Sequence, residues 1–382
     1  MAVMEKRTIY ISQPVLGDEE WEACREPLHS GWVTQGPKVK AFEEEFAKIH
    51  GVKHAFAVTS CTTGLHLALA ALNIGPGDDV LIPAFTWVST ANAVLYVGAN
   101  PVFVDVDPKT NNIDIEDLKR KATPNTKAVI PVHLFGLCAD IDAIKEALPE
   151  AKIVEDAACA AGAQYKGKYA GNLGDVASFS FHPRKSITTG EGGMVTCNDD
   201  ALAQRIDKLR NHGAEISEEQ RHNGPAPYIL PDFNMMGFNF RMTDLQGAVG
   251  LVQIKKLFTF IDERQKWADF YIKELADVEW LNTIELNADY KHGWQSFCTY
   301  VDETKSPYSR NEIMEKLQDM GISTRPGTHA VHMLNFYKNT YGIHEDDFPG
   351  AKACNNQTMA IPLHNRMVEE DYKYIVNAIK SL

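Results

Sequence analysis

Short apolar runs alternate with helical stretches between about residues 55 and 200. The runs are rich in β-branched residues, which is typical of strands that are buried on both faces of a parallel sheet. They span residues 55–58, 79–82, 101–104, 127–132 and 152–155. Apolar helices are predicted between them, at residues 65–72 and 88–97. The pattern therefore predicts a mostly parallel sheet that is covered by helices on both faces.

Two further apolar segments, residues 179–181 and 194–197, are predicted to pair like a hairpin on either side of a loop. The pattern then changes to a long helix over residues 244–275, which leads into mixed strand and helix segments. We therefore predict a large domain at residues 1–250 and a smaller α/β domain at residues 251–382, with the long helix as the connection between them.

The composition is that of a globular protein, with 382 residues of which 44% are hydrophobic and 23% charged. The formal net charge of −13 argues against a general nucleic-acid binder, because phosphate affinity requires a basic face. The seven cysteines are scattered, which predicts a reducing compartment, no disulfide framework and no metal site. The N-terminal residues lack the apolar stretch of a signal peptide, and no apolar segment is long enough to span a bilayer. We expect a cytoplasmic protein that binds neither nucleic acid nor membranes.

Lys185 is the most informative candidate residue. It follows an apolar, aromatic stretch and precedes a loop of small residues at positions 188–193. A lysine at the end of a buried strand can act as an amine, since desolvation lowers its pKa and frees the lone pair for an imine. An ordinary loop lysine is the alternative, and the local pattern leaves both interpretations open.

Further candidate residues follow the predicted strands, at the edge where open parallel sheets bind ligands. Small hydroxyl residues at positions 59–64 open a helix and could hold a phosphate or simply cap the helix. Asp156 follows a buried strand, where it could lie against a flat ligand or cap the next helix. Trp87 could stack on such a ligand or belong to the core. His133 and His182 are weaker candidates, because a lone histidine is more often structural.

Together these features match the requirements of one cofactor, pyridoxal 5′-phosphate. The cofactor requires an amine for the imine, an acid that keeps its pyridine nitrogen protonated, an aromatic face and a phosphate pocket. Lys185, Asp156, Trp87 and the loop at residues 60–63 would meet these requirements in that order. The combination therefore favours the imine-forming interpretation of Lys185.

Segments along nearly the whole chain match the motifs of one known enzyme family. They are residues 31–37, 74–83, 98–105, 155–158, 180–185, 189–193 and 237–244. On these segments the chain resembles the DegT/StrS family of sugar-nucleotide aminotransferases, which depend on pyridoxal 5′-phosphate and have the fold type I of aspartate aminotransferase. The resemblance implies an α/β fold with a large domain, in which a mostly parallel seven-stranded sheet lies between helices, and a smaller α/β C-terminal domain.

The resemblance also implies a role for each candidate residue. Lys185 would form the imine with the cofactor and shuttle the proton, Asp156 would pair with the pyridinium nitrogen, and Trp87 would stack on the ring. The implied phosphate ligands within one subunit are Thr62, Thr63 and Ser180. Asn239 corresponds to a residue that, in the family, extends across a homodimer interface and contacts the phosphate of the partner's cofactor. Arg241 is a further candidate for the same interface. A homodimer with shared active sites follows.

Two positions depart from the family's pattern. Cys61 stands where glycine or alanine is usual, and Cys159 stands where glutamine or histidine usually bonds the 3′-oxygen of the cofactor. At Cys159 that contact is either missing or made by water. On the substrate side the candidates are Arg325, Thr34 and His329, where the family often has an aromatic residue.

The reaction that the resemblance implies moves an amino group from L-glutamate to a keto-deoxysugar nucleotide. The sequences of residues 86–90 and 182–185 are closer to those of the enzymes that aminate C-4 than to those of the enzymes that aminate C-3. Related dehydratases carry histidine in place of Lys185, so the lysine argues against their chemistry. The alternatives are an aminotransferase acting on a keto-cyclitol or another keto ring without a nucleotide, and a non-catalytic regulator with the same fold.

Overall fold

The structure is a computed structural model that describes residues 8–215, 228, 230 and 232–382. The first seven residues, on which the expectation of a missing signal peptide partly rests, lie outside the described residues. Within these ranges, none of the helices combines the length and the apolar character that crossing a bilayer requires.

The helices and strands alternate along the first half of the described chain, as the apolar pattern predicts. The helices are α1 (Asp18–Ala23), α2 (Arg25–Ser30), α3 (Pro37–His50), α4 (Cys61–Ala71), α5 (Ser89–Tyr96), α6 (Ile115–Lys121), α7 (Ile141–Ala147), α8 (Asp200–Arg210), α9 (Asp244–Glu274), α10 (Arg310–Asp319), α11 (Asn335–Tyr341), α12 (Pro349–Gln357) and α13 (Glu369–Lys380). The strands are β1 (His54–Val58), β2 (Asp79–Pro83), β3 (Phe85–Thr86), β4 (Asn100–Val104), β5 (Thr126–Val129), β6 (Lys152–Asp156), β7 (Gln164–Tyr165), β8 (Lys168–Tyr169), β9 (Val176–Ser180), β10 (Gly193–Cys197), β11 (Leu281–Asn282), β12 (Tyr290–Lys291), β13 (Phe297–Val301), β14 (Arg325–Pro326), β15 (His329–Ala330) and β16 (Thr358–Ile361).

Seven strands form the main sheet, in the order β1-β10-β9-β6-β5-β2-β4. The pairs from β9 through β6, β5 and β2 to β4 are parallel. Only β10 runs the other way, between β1 and β9. The predicted mostly parallel sheet is therefore confirmed, as is the hairpin-like pair of strands around the lysine loop.

The main sheet is buried on both faces, which explains the continuous apolar runs of its strands. Along β2, Val80 and Ile82 belong to one apolar cluster, whereas Leu81 belongs to the cluster on the opposite face. Along β10, Val195 and Met194 divide between the same two clusters. Because successive side chains point to opposite faces, every position of such a strand has to be apolar.

The long helix α9 leads to a third apolar cluster and a second sheet. Its N-terminus is capped by Thr243, whose side chain accepts a hydrogen bond from the main-chain N–H of Gln246. Further along, Trp267 and Tyr271 pack in a cluster with residues of the last hundred positions, next to a four-stranded sheet in the order β11-β13-β16-β14. The predicted domain boundary at residue 250 falls inside α9 and stays a prediction.

Candidate active site

The register of the main sheet brings three strand ends to one edge. Gly193 pairs with Val58 at the end of β1 and with Ser180 at the end of β9. Asp156, at the end of β6, pairs with Ser178 on the other side of β9. Loops that follow parallel strands therefore meet here, which is where open α/β sheets bind ligands.

Lys185 lies in the turn that follows β9, and its main-chain N–H donates to the carbonyl of His182 at 2.8 Å. Three side chains hold this turn from outside. Gln253 accepts from the N–H of Thr188 at 3.2 Å, and Gln295 donates to the carbonyl of the residue before Lys185 at 2.9 Å. Arg264 donates to the hydroxyl of the residue after Lys185 at 3.4 Å. Sequence reasoning missed these three residues, because no local pattern links them to the loop.

The amine of Lys185 points at a sulfur atom. Its Nζ donates to Sγ of Cys159 at 3.1 Å. Burial lowers the pKa of the amine, but the sulfurs of Cys159 and Cys61 and the carboxylate of Asp156 raise it, so that the pKa lies above its ordinary value. The expectation that desolvation leaves this lysine with a lowered pKa is therefore wrong for the cofactor-free chain, because neighbouring groups outweigh the burial.

Asp156 is only 4% exposed and accepts from three donors, one of which is Sγ of Cys61, 3.8 Å from its Oδ1. Its Oδ2 accepts from the hydroxyl of Thr90 at 2.8 Å, and its Oδ1 accepts from the N–H of Ala158 at 3.2 Å. Burial raises the pKa of the carboxyl group, against the effect of these hydrogen bonds and of nearby Lys185. A buried, fixed carboxylate beside an amine fits the pyridine end of pyridoxal 5′-phosphate.

Thr90 is a site residue that sequence reasoning did not single out. Its hydroxyl shares a hydrogen bond with that of Thr86 at 3.0 Å, so a chain of hydroxyl groups ends on the carboxylate of Asp156. Thr86 ends strand β3 and Thr90 lies in the first turn of α5, so no single period in the sequence links the two hydroxyl groups.

The N-terminus of α4 forms the phosphate-loop candidate. Ser60 caps the helix by accepting from the N–H of Thr63 at 3.1 Å, and the hydroxyl of Thr63 donates back to the carbonyl of Ser60 at 2.8 Å. The first turn leaves N–H groups without an acceptor inside the helix, among them that of Thr62. A helix N-terminus of this kind can hold an anion, so the cap and the phosphate interpretation are compatible.

The packing of α4 on the sheet depends on Gly64. A Cβ atom at this position would lie 2.2 Å from Oγ of Ser178 in β9. The absence of a side chain therefore lets the start of the helix approach the same strand that ends at Ser180. The hydroxyl of Ser180 accepts from the N–H of His182 at 3.4 Å.

Trp87 is 57% exposed, which excludes the core interpretation of this residue. Strand β3 pairs with β15, where His329 lies opposite Thr86. The rings of Trp87 and His329 consequently meet edge to face, with centroids 5.4 Å apart. The structure thus brings a predicted stacking residue and a predicted substrate residue into contact.

The remaining candidates lie farther out. Arg325 is exposed in β14, and Thr34 is exposed where its carbonyl accepts from the N–H of Asp244 at 3.1 Å. No hydrogen bond joins either side chain to Lys185 within the described ranges. Asn239 is exposed in a segment that runs beside the phosphate loop, since the N–H of Thr59 donates to the carbonyl next to Asn239 at 3.1 Å.

His133 has a structural place beside the site. Its Nδ1 accepts from the N–H of Ala139 at 3.0 Å, so the proton is on Nε2, which donates to Oε2 of Glu155 at 2.9 Å. Both side chains are fully buried. The pair fixes the end of β6, directly before Asp156.

Comparison with known proteins agrees with this geometry. The profile of the DegT/DnrJ/EryC1/StrS aminotransferase family matches residues 14–380. The chain is 38% identical to the spore coat polysaccharide biosynthesis protein SpsC of Bacillus subtilis, over 100% of this chain and 99% of that protein. The putative sugar aminotransferase Spr1654 from Streptococcus pneumoniae, in its PLP form, superposes with a TM-score of 0.89 at 28% identity and 98% coverage of both chains. The protein DesV of S. venezuelae, solved in complex with a ketimine intermediate, superposes with a TM-score of 0.86 at 30% identity, covering 97% of this chain and 98% of DesV.

The fold and the match together define a fold type I transferase that depends on pyridoxal 5′-phosphate. The chain belongs to the DegT/DnrJ/EryC1/StrS aminotransferase family. The protein is therefore an enzyme, an aminotransferase, and the family, the fold class and the cofactor that the sequence predicted are confirmed.

Proposed function

We propose that the enzyme moves an amino group from L-glutamate to a keto-deoxysugar carried on a nucleotide, at C-4 of the sugar. The observation that carries the aminotransferase part is the placement of the Lys185 amine beside the buried carboxylate of Asp156 in a chain of this family. The sugar part is supported by two relatives, of which one is described as a sugar aminotransferase and the other serves polysaccharide biosynthesis. We assign the reaction to amino-sugar biosynthesis accordingly.

The cofactor would be held by residues at the shared edge of the strands. Lys185 binds its aldehyde, Asp156 pairs with the pyridine nitrogen, and Trp87 offers its exposed ring as a face. Thr62, Thr63 and Ser180 bind the phosphate, and Cys159 lies at the 3′-oxygen. When bound, the protonated cofactor ring withdraws the negative charge that develops at the α-carbon of the donor.

Lys185 carries the proton in both halves of the reaction. Its Nζ takes a proton from the α-carbon of glutamate and later returns a proton to the carbon of the keto group that receives nitrogen. Asp156 keeps the pyridine nitrogen protonated through both steps, and Thr90 and Ala158 keep its carboxylate in place. The turn around Lys185 is held from outside, so the amine can move while its backbone stays fixed.

The substrate-side residues and the oligomer belong to the same proposal. His329 beside Trp87 lines the sugar side, with Arg325 and Thr34 as outer contacts. Asn239 reaches the cofactor phosphate of a second subunit in a homodimer, with Arg241 beside it. Exposed apolar side chains near Asn239 support such an interface, and Met236, at 86% exposure, is one of them.

Two further assignments complete the proposal. Residues 1–250 form the cofactor-binding domain and residues 251–382 the small domain, which agrees with a separate apolar cluster around Trp267 and Tyr271. A cytoplasmic location is supported by the seven cysteines, all of which are free thiols in the structure.

Replacement of Lys185 by alanine tests the assignment of the amine. The purified enzyme with pyridoxal 5′-phosphate should show the visible absorbance of the imine, and Lys185→Ala should lose it. Lys145→Ala is the control, because Lys145 is another lysine whose amine makes a hydrogen bond, to a carbonyl at 2.7 Å, and this variant should keep the band. A Lys185→Ala variant that retains the band would refute the assignment.

The acceptor is tested with a panel of keto substrates and glutamate. Amination of a 4-keto sugar nucleotide, read as 2-oxoglutarate released, supports the proposal. Turnover of 3-keto sugars would move the position of amination to C-3. Turnover of a keto-cyclitol but of no sugar nucleotide would replace the proposed acceptor class.

A further inference from the structure

Cys159 makes an unexpected contact in the cofactor-free enzyme. Its Sγ lies within hydrogen-bond distance of Nζ of Lys185, at 3.1 Å. Within the described residues it is the only hydrogen-bond partner that the structure records for this amine. The sulfur therefore occupies the direct contact position beside the group that forms the imine.

The other groups that face the amine are already engaged. Cys61 donates through Sγ to the carbonyl of Ser178 at 3.4 Å and to Oδ1 of Asp156 at 3.8 Å, and burial raises the pKa of this thiol well above its usual range. Asp156 acts on Lys185 through its charge, and the hydrogen bonds recorded for its oxygens come from Thr90, Ala158 and Cys61.

His182 is a further titratable residue in the same turn as Lys185. Burial lowers the pKa of its imidazole, the charge of Glu191 opposes this effect, and the positive charges of Lys185 and Arg184 lower the pKa further, so that it lies below its ordinary value. Of these titratable groups, Cys159 is the one that makes a hydrogen bond with the amine of Lys185 in the described part of the chain.

We propose that Cys159 is a positioning residue for the Lys185 amine, which it holds as an ammonium ion until the cofactor's aldehyde arrives. The inference rests on the proposed function, in which Lys185 forms the imine. The thiol accepts an N–H of the ammonium group and so holds Nζ beside the loop that follows β6. Capture of the cofactor requires this contact to break, because only the neutral amine attacks the aldehyde.

The pH dependence of cofactor capture should then depend on the sulfur atom of Cys159. If the sulfur stabilises the ammonium form, removing it lets the proton leave at lower pH. Each pH unit by which the midpoint falls raises the fraction of neutral amine below the midpoint about tenfold. Capture at neutral pH should therefore become faster in a variant that lacks the sulfur, although a contact has been lost.

The experiment follows the visible imine absorbance after pyridoxal 5′-phosphate is added to the cofactor-free enzyme, from neutral to alkaline pH. Cys159→Ala should move the midpoint of the capture rate to lower pH, and Cys159→Val should do the same without leaving a cavity where the sulfur was. Cys159→Ser keeps an acceptor atom and should stay nearer to the unmodified enzyme. Cys24→Ala, at a cysteine between α1 and α2, is the control and should change nothing.

Two outcomes separate this inference from the proposed function. If the Cys159→Ala and Cys159→Val variants fold, as judged by circular dichroism, and their midpoints equal that of the unmodified enzyme, Cys159 does not hold the ammonium group. If instead the imine band survives in Lys185→Ala, the proposed role of Lys185 fails, whatever Cys159 does.

Discussion

Replacing Glu155 with glutamine should destabilise the enzyme strongly, because the carboxylate is surrounded by donors. Its Oε1 accepts from the N–H groups of Leu173 at 2.8 Å and Gly174 at 2.7 Å. Its Oε2 accepts from the N–H of Gly171 at 2.7 Å and from Nε2 of His133 at 2.9 Å. The NH₂ group of a glutamine cannot accept hydrogen bonds, so it would face two donors in either orientation.

The magnitude follows from the number of bonds lost. Hydrogen bonds to a charged group contribute about 1.5–3 kcal/mol each, and two are lost without replacement, so the free energy of unfolding should fall by roughly 3–6 kcal/mol. Burial raises the pKa of Glu155, but His133 and the main-chain donors outweigh it, and the pKa lies below its usual range. The stabilising contribution is therefore present above the ordinary pKa of a glutamate and is lost as the pH falls through the lowered value.

Urea denaturation of the cofactor-free enzyme measures this loss. Glu285→Gln is the matched control, because Glu285 is exposed and the same exchange there should cost less than about 0.5 kcal/mol. A Glu155→Gln variant whose free energy of unfolding lies within about 1 kcal/mol of the unmodified enzyme would show that the carboxylate does not hold the end of β6.

Two further predictions concern His50 and Gly64. His50 donates from Nδ1 to the carbonyl of Phe46 at 3.1 Å and accepts at Nε2 from Gly162 at 3.3 Å, and burial lowers its pKa to about 4. On acidification the unfolded chain takes up the proton at this histidine before the folded chain does. The free energy of unfolding should therefore fall by about 3 kcal/mol as the pH decreases from about 6.5 to about 4. His50→Gln should remove this part of the pH dependence in denaturation titrations. Gly64→Ala should cost about 1–3 kcal/mol in the same assay, because the new Cβ meets Ser178 at 2.2 Å, and an effect no larger than that of Gly75→Ala, where the nearest atom is 3.7 Å away, would contradict the reasoning.

The apolar pattern predicted the main sheet because strands buried on both faces have an unmistakable composition. The strand expected at residues 79–82 is Asp79–Pro83, and the one expected at residues 152–155 is Lys152–Asp156. The two-residue strands β3 and β15 were not predicted, since two residues carry no period. Their pairing nevertheless places His329 beside Trp87, so part of the site depends on elements that no local pattern shows.

For the chemistry of the site too, residue types in the sequence indicated one part, and the fold decided the other. The type and order of Lys185, Asp156 and the hydroxyl loop before α4 indicated the cofactor, because each residue type meets one chemical requirement of pyridoxal 5′-phosphate. The exposure of Trp87 decided between two interpretations that the sequence left open. His133 proved to be part of a buried pair with Glu155, which only the fold brings together.

The sequence by itself determined the layered α/β architecture and the cofactor, because these depend on the apolar period and on residue type within single segments. The tertiary structure alone decided the state of the Lys185 amine. Its sulfur partner Cys159 is 26 residues away along the chain, and the threonine that holds Asp156 is 66 residues from it. The pKa of a buried group depends on the charges and dipoles that folding places within a few ångströms of it, where little water remains to screen them.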